Sequence, residues 1–184
     1  MRQAGRYLPG YQKIRQEMTT LEMMKDPETA CRVTVEPVET IGVDAAILYS
    51  DILIVPEAMG MKLDFVKDVG PVFERPVRSL PEVAELNEQE VSRRSDFVSQ
   101  TIKLVKKRLP SDFPLIGFAG GPFTVGTYMV GGDGSYDATC LKKLALETPA
   151  AFQGLMKKVT EATIDYLKGQ IDAGVDAVQL FDTW

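Results

Sequence analysis

The sequence predicts an α/β protein built on a parallel sheet, and three observations carry that reading. Short unbroken apolar runs recur along the chain, longer stretches of helical periodicity separate them, and polar residues gather where each run ends. Continuous apolar runs suit strands covered on both faces. Strands alternating with helices imply parallel neighbours joined by right-handed crossovers. An open doubly wound sheet and a closed barrel both fit this pattern.

The expected strands are Asp44 to Ser50, Pro114 to Ala119 and Asp176 to Phe181. A helix is expected from Pro27 to Ile41, with Ala30, Val33, Val38 and Ile41 on one face. Asp26 can cap it and Pro27 suits its first position, whereas Pro37 should kink or end it. A second helix is expected from about Glu88 to Leu109, with Val91, Val98, Ile102, Val105 and Leu109 inward. A third is expected from Pro149 to Ala173, turning Phe152, Leu155, Met156, Val159, Tyr166 and Leu167 inward, with Gly174 as its stop. Between Met61 and Arg78 the texture changes: Lys62 to Val66 alternates and Gly70-Pro71 punctuates, which reads as an irregular excursion or a hairpin.

Composition removes several function classes. The chain has 184 residues, a formal net charge of -5 and no histidine. The charge argues against a general nucleic-acid binder, which would show a basic face. It leaves room for an anionic substrate met by a few well-placed arginines. Without histidine, these residues hold no Ser-His-Asp or Cys-His machinery and few zinc layouts. No apolar run reaches the ~18–20 residues of a membrane span. Cys31 and Cys140 lie far apart and read as free, ordinary buried thiols.

Candidate site residues follow from strand ends, because ligands in open α/β sheets and in barrels bind at the carboxyl edge. Ser50-Asp51 closes the first strand and Asp182-Thr183 the third. Each aspartate fits either a ligand site or the N-cap of a following helix. Asp51 is set apart by its apolar neighbours Ile47, Leu48, Ile52, Leu53, Ile54 and Val55, since a carboxylate in such surroundings is costly unless paired. The glycine-rich stretch from Gly117 to Gly134 lacks the Gly-Lys-Ser/Thr of a P-loop and the dinucleotide fingerprint. It reads as a tight strand-to-helix turn rather than a phosphate cradle. Arg2 and Arg6, four apart around Gly5, fit a shared helix face, a glycine-bent loop converging on one anion, or two solvated side chains.

Four blocks carry a family resemblance: Met1-Arg2-Gln3-Ala4-Gly5-Arg6-Tyr7-Leu8-Pro9, Asp44 to Leu53, Pro114 to Pro122 with Thr127 to Val130, and Gln179 to Trp184. In this order they resemble the uroporphyrinogen decarboxylases. The resemblance implies a (β/α)8 TIM barrel, with residues 1–184 forming about its first half. It implies cofactor-free and metal-free removal of the four acetate carboxyls of uroporphyrinogen III, giving coproporphyrinogen III, by a cytoplasmic homodimer that engages no nucleic acid or membrane. Residue by residue it implies that Asp51 contacts the pyrrole N–H groups. Arg2, Gln3, Ala4, Gly5 and Arg6 bind substrate, Arg2 being also a candidate proton donor. Tyr128 positions an acetate, and Thr183 offers a hydroxyl where serine is frequent.

The sequence also departs from the family pattern. Phe123 stands where tryptophan is usual, and Gly131 to Gly134 replaces a common turn. The start of the first strand and the second half of the barrel, with a family histidine, are expected to lie outside these residues. An isolated half-barrel would expose apolar strand edges and helix faces. A catalytically inactive fragment is therefore one alternative. Another is a cobamide-dependent methyltransferase of the same superfamily, against which the Arg2–Arg6 hallmark argues.

Overall fold

Asp26 and Pro27 start the first long helix as their chemistry dictates. The Asp26 carboxylate accepts the Thr29 N–H at 3.0 Å, and the helix runs Pro27–Ile41 to a left-handed Gly42. Pro37 lies within it and does not end it, because the four residues beyond remain helical. Ala30 and Val33 are buried as expected, but Ile41 is exposed; Val35 and Pro37 are buried instead. The computed structural model describes residues 6–66, 69–132 and 137–183.

The strands are β1 (Ala46–Ile47), β2 (Leu63–Val66), β3 (Gly70–Phe73), β4 (Leu115–Gly120) and β5 (Ala177–Phe181). β1, β4 and β5 form a parallel sheet in that order, with Ala46 opposite Leu115 and Ile116 opposite Ala177. Among the described residues the sheet advances in one direction and does not close, consistent with part of a TIM-barrel-like arrangement. β2 and β3 pair antiparallel, so the 61–78 excursion is a hairpin.

Two of the three expected strands differ from expectation. β1 keeps only two ladder residues of the seven-residue run. β5 is exposed along its length, with Val178, Leu180 and Phe181 at 41%, 47% and 40%. Among the described residues β5 is a sheet edge, so its apolar side chains lack the cover that the continuous run implied.

Pro149–Ala173 forms as expected, ending at a left-handed Gly174. It packs on β4 and on the helices Asp96–Arg108, Pro122–Gly131 and Thr139–Glu147, burying Leu155, Val159 and Tyr166. The 88–109 helix is divided into Val91–Arg94 and Asp96–Arg108. Ser95 makes the break: its hydroxyl donates to the Val91 carbonyl at 2.7 Å while its backbone leaves the helical region. A serine that bonds the preceding turn competes with the helix ladder. Helices at Pro9–Glu17, Thr20–Lys25, Ile54–Ala58, Leu80–Glu85 and Thr139–Glu147 were not anticipated as elements, whereas Pro122–Gly131 is the helix that the glycine turn leads into. Cys31 is buried, but Cys140 is exposed on the Thr139–Glu147 helix, against the expectation of two buried thiols. No helix among the described residues is long and apolar enough to cross a membrane.

The sheet is tied at both ends. At one end the Asp176 carboxylate accepts from Lys106 at 2.9 Å and from the Leu115 N–H at 2.8 Å; both contacts hold its carboxyl below the ordinary range. At the other, the glycine stretch makes the tight strand-to-helix turn expected, one residue long at Gly121. The Gly121 N–H donates to the Phe181 carbonyl at 2.6 Å, and a Cβ on Gly121 would lie 2.8 Å from Asp182. The glycine serves close packing of strand, helix and Asp182.

Loss of the Asp26 cap sets a stability prediction. Asp26→Ala should cost about 1 kcal/mol in denaturant unfolding, and Asp26→Asn only a few tenths, because asparagine caps nearly as well.

Candidate active site

The turn that follows β1 presents Asp51. The last sheet bond of this segment is from the Leu48 N–H to the Ile116 carbonyl at 3.0 Å. The Tyr49 N–H then turns to the Thr34 hydroxyl at 2.9 Å. At Asp51 the carboxylate accepts the Leu53 N–H at 2.9 Å, and its backbone carbonyl accepts the Ile54 N–H at 3.3 Å. The chain thereby bends into the Ile54–Ala58 helix, whose N-cap is Leu53. Asp51 thus shapes the turn that leads into the helix without being its N-cap.

Leu48, Leu53, Ile54 and Val55 beside it are buried, while Asp51 keeps partial access to solvent. Burial raises its carboxyl above the ordinary range. The Leu53 N–H and the charge of Arg6 pull the other way.

Arg6, Asp51 and Tyr128 line one cavity of about 280 Å³. Ile52 and Leu53 continue its floor from the Asp51 turn. Tyr11 and Thr20 come from the first two helices, and Phe65, Gly70 and Pro71 from the hairpin. The wall residues from Tyr11 to Pro71 were not among the sequence candidates. The alternation around Phe65 suggested a hairpin, but which of its faces would meet Asp51 is set by tertiary packing. Beneath the cavity, Tyr49 meets Tyr11 edge-on at 6.0 Å, and burial raises the Tyr49 hydroxyl.

Glu36 was missed as well. Its carboxylate accepts the Gly10 and Tyr11 N–H groups at 2.8 and 2.9 Å, capping the Pro9–Glu17 helix from the Pro27–Ile41 helix. That clamp fixes the segment on which Arg6 stands.

Other expected site residues stand apart. Thr183 does not line this cavity. Its N–H donates to the Thr124 hydroxyl at 2.8 Å, and that hydroxyl donates to Asp182 at 2.6 Å. Arg2, Gln3, Ala4 and Gly5 lie outside the described residues, as do Asp133 and Gly134 of the altered turn. Phe123 is partly buried against the core.

A larger cavity, about 800 Å³, lies between the hairpin and the Leu80–Glu85 helix. Several of its charges are already engaged: Lys62 pairs with Glu74 at 2.5 Å, and Arg78 donates to the Val130 and Gly131 carbonyls at 2.9 Å each. It brings together none of the sequence candidates, so size does not make it the better site. Among the described residues no group of three or more His, Cys, Asp or Glu side chains could hold a metal ion.

Comparisons with known sequences cover the whole chain. The family model for uroporphyrinogen decarboxylase (URO-D) matches residues 1–184. The uroporphyrinogen decarboxylase of Geotalea daltonii is 49% identical over 184 residues, and that of Geobacter metallireducens 50%. All of this chain aligns, but it spans 54% of each relative's length. Among solved structures, a methyltransferase from Methanosarcina mazei matches with a TM-score of 0.65 and 21% identity, covering 85% of this chain and 46% of that one. That likeness is one of fold.

The raised Asp51 carboxyl fixes the sign of a pH effect. An acid whose folded pKa lies above its unfolded value binds more protons in the folded state, so stability falls as pH rises through that window. Asp51→Asn, which can still accept the Leu53 N–H, removes the ionised form. Denaturant unfolding from pH 4 to pH 7 should therefore find the variant gaining stability on the wild type as pH rises. Parallel curves would mean that the carboxylate carries no burial penalty.

Proposed function

The chain belongs to the uroporphyrinogen decarboxylase family, and from that premise we propose that the full-length protein containing residues 1–184 decarboxylates the four acetate side chains of uroporphyrinogen III, giving coproporphyrinogen III. The convergence of Arg6, Asp51 and Tyr128 on one cavity is the observation that carries this reading.

The chemistry needs an electron sink. A proton added to the ring carbon next to the one that bears the acetate makes the ring cationic and places that cation in conjugation with the exocyclic carbon. The bond to the carboxylate then breaks, carbon dioxide leaves, and the electron pair flows into the ring. The exocyclic carbon takes up a proton to become a methyl group, and the ring carbon loses the one it gained. A fixed carboxylate facing the pyrrole N–H groups stabilises the cation, and an apolar floor strengthens that effect by excluding water. The buried aliphatic neighbours of Asp51 and its hydrogen bond from the Leu53 N–H support that role for it.

Arg6 offers a planar fork to a substrate carboxylate, and Tyr128 a hydroxyl that orients an acetate. Arg2 belongs to the same reading through its motif. Its carboxylate-binding role is stronger than any role as proton donor, because a guanidinium is a poor acid.

The cavity supports a partial site. Pockets for ordinary small ligands measure ~300–1,000 Å³, and a tetrapyrrole with eight carboxylate side chains needs a large one. About 280 Å³ suits one wall of a cleft. The exposed β5 edge fits continuation of the sheet into a closed barrel in the full-length protein. The same two observations favour a second reading for residues 1–184 alone, as a fragment without turnover. Cytoplasmic homodimers working without cofactor belong to the family reading as well.

Chromatographic resolution of uroporphyrinogen and coproporphyrinogen tests the proposal, with residues 1–184 run beside the full-length protein. The full-length protein should turn over, and the fragment should not. Asp51→Asn should lower kcat by about 10²–10³, the loss typical of removing one charge-stabilising group. Arg6→Ala should raise KM ~10–100-fold with little change in kcat, as loss of a charged hydrogen bond predicts. Activity should fall on the acid side of a pH above the usual carboxylate value of ~4. A folded Asp51→Asn enzyme with normal turnover would refute the assignment.

A further inference from the structure

The separation of β1 from β4 contains a polar device that the proposed chemistry does not use. Past Ile116 the two strands part, leaving the Phe118 N–H and C=O facing the gap. Gln170, from the Pro149–Ala173 helix and 1% exposed, fills it. Its Oε1 accepts the Phe118 N–H at 2.9 Å, and its amide nitrogen donates to the Phe118 carbonyl at 2.8 Å. One side chain thus takes the place of a strand partner. A Cβ on Gly117 would lie 2.2 Å from that oxygen, so a side chain there would push Gln170 off the Phe118 N–H.

One helical turn earlier, Tyr166 is 1% exposed and its hydroxyl shares a hydrogen bond of 3.1 Å with Ser50, the residue before Asp51. Burial keeps this phenol neutral by raising it to about 12. Where ladder bonds end, the segment Tyr49 to Leu53 is therefore held by side chains: Thr34 on one flank, Tyr166 on the other, and Asp51 itself ahead.

We infer that Tyr166, acting through Ser50 and braced by Gln170, is a positioning residue that fixes the Asp51 carboxylate at the floor of the cavity. A phenylalanine would fill the same space. What the hydroxyl adds is one defined distance between helix and turn, and fully satisfied buried polar networks rigidify in this way. Displacement of a charge by about 1 Å can cost 10²-fold in rate. The inference rests on the decarboxylase reading for its kinetic test.

Tyr166→Phe and Ser50→Ala, made in the full-length protein, remove the same bond from opposite ends, and Ser50→Ala leaves the core untouched if the tyrosine variant folds poorly. Each should lower kcat about tenfold with KM within twofold, and the double variant should be no worse than either single. Carboxyl titration by isotope-edited infrared spectroscopy, with Asp51→Asn identifying the signal, should find Asp51 in Tyr166→Phe shifted down towards the ordinary range as water reaches a loosened turn. Wild-type kcat in folded Ser50→Ala, or losses that multiply in the double variant, would overturn the inference. A wild-type protein that leaves uroporphyrinogen unchanged would instead sink the decarboxylase reading. The Asp51 titration would then decide the positioning role by itself: a downward shift sustains it and an unmoved carboxyl refutes it.

Discussion

A carboxylate among buried aliphatic side chains is unfavourable, and the surroundings of Asp51 are organised around that constraint. Leu48, Leu53, Ile54 and Val55 exclude water from its flanks. One backbone N–H and the field of Arg6 compensate part of the burial. In the proposed reaction the residual strain on the ionised form would serve the chemistry, because an anion without full solvation stabilises a neighbouring cation more than a hydrated one does. A hydrophobic floor and the charge proposed to act on it are thus two aspects of one arrangement.

Holding that charge in place falls to helices more than to the sheet. β1 is too short to carry Asp51 on its ladder. Thr34 on the Pro27–Ile41 helix and Tyr166 on the Pro149–Ala173 helix hold the turn instead. Glu36 does the equivalent for the segment carrying Arg6, by capping the Pro9–Glu17 helix. The two sides of the candidate site are therefore both anchored to the Pro27–Ile41 helix. The hairpin adds the opposite wall, and the Gly132 carbonyl accepts the Phe73 N–H at 2.9 Å, joining hairpin and Tyr128 helix.

The regular elements were legible in sequence where one local signal sufficed. Asp26-Pro27 and Gly174 mark helix ends that the structure keeps, and the apolar runs locate β4 and β5 to within a residue or so. Pro37 does not end its helix, because a proline late in a helix removes one bond that packing can forgo. The 88–109 helix was overextended because the Ser95 break depends on a hydroxyl turning back to Val91. Short helices such as Ile54–Ala58 lack the length for a periodic signal.

For the site, sequence by itself determined the family, the presence of Asp51 at the end of an apolar run, and the exclusion of histidine chemistry from these residues. Those properties reside in residue identity and local order. Tertiary structure alone decided that Arg6, Asp51 and Tyr128 share a cavity, that Thr183 does not line it, and that Phe65 and Pro71 do. It also decided that Glu36, Tyr166 and Gln170 serve as anchors. These contacts join residues up to 116 positions apart. No local periodicity encodes such pairings, because they exist only once the helices have packed against the sheet.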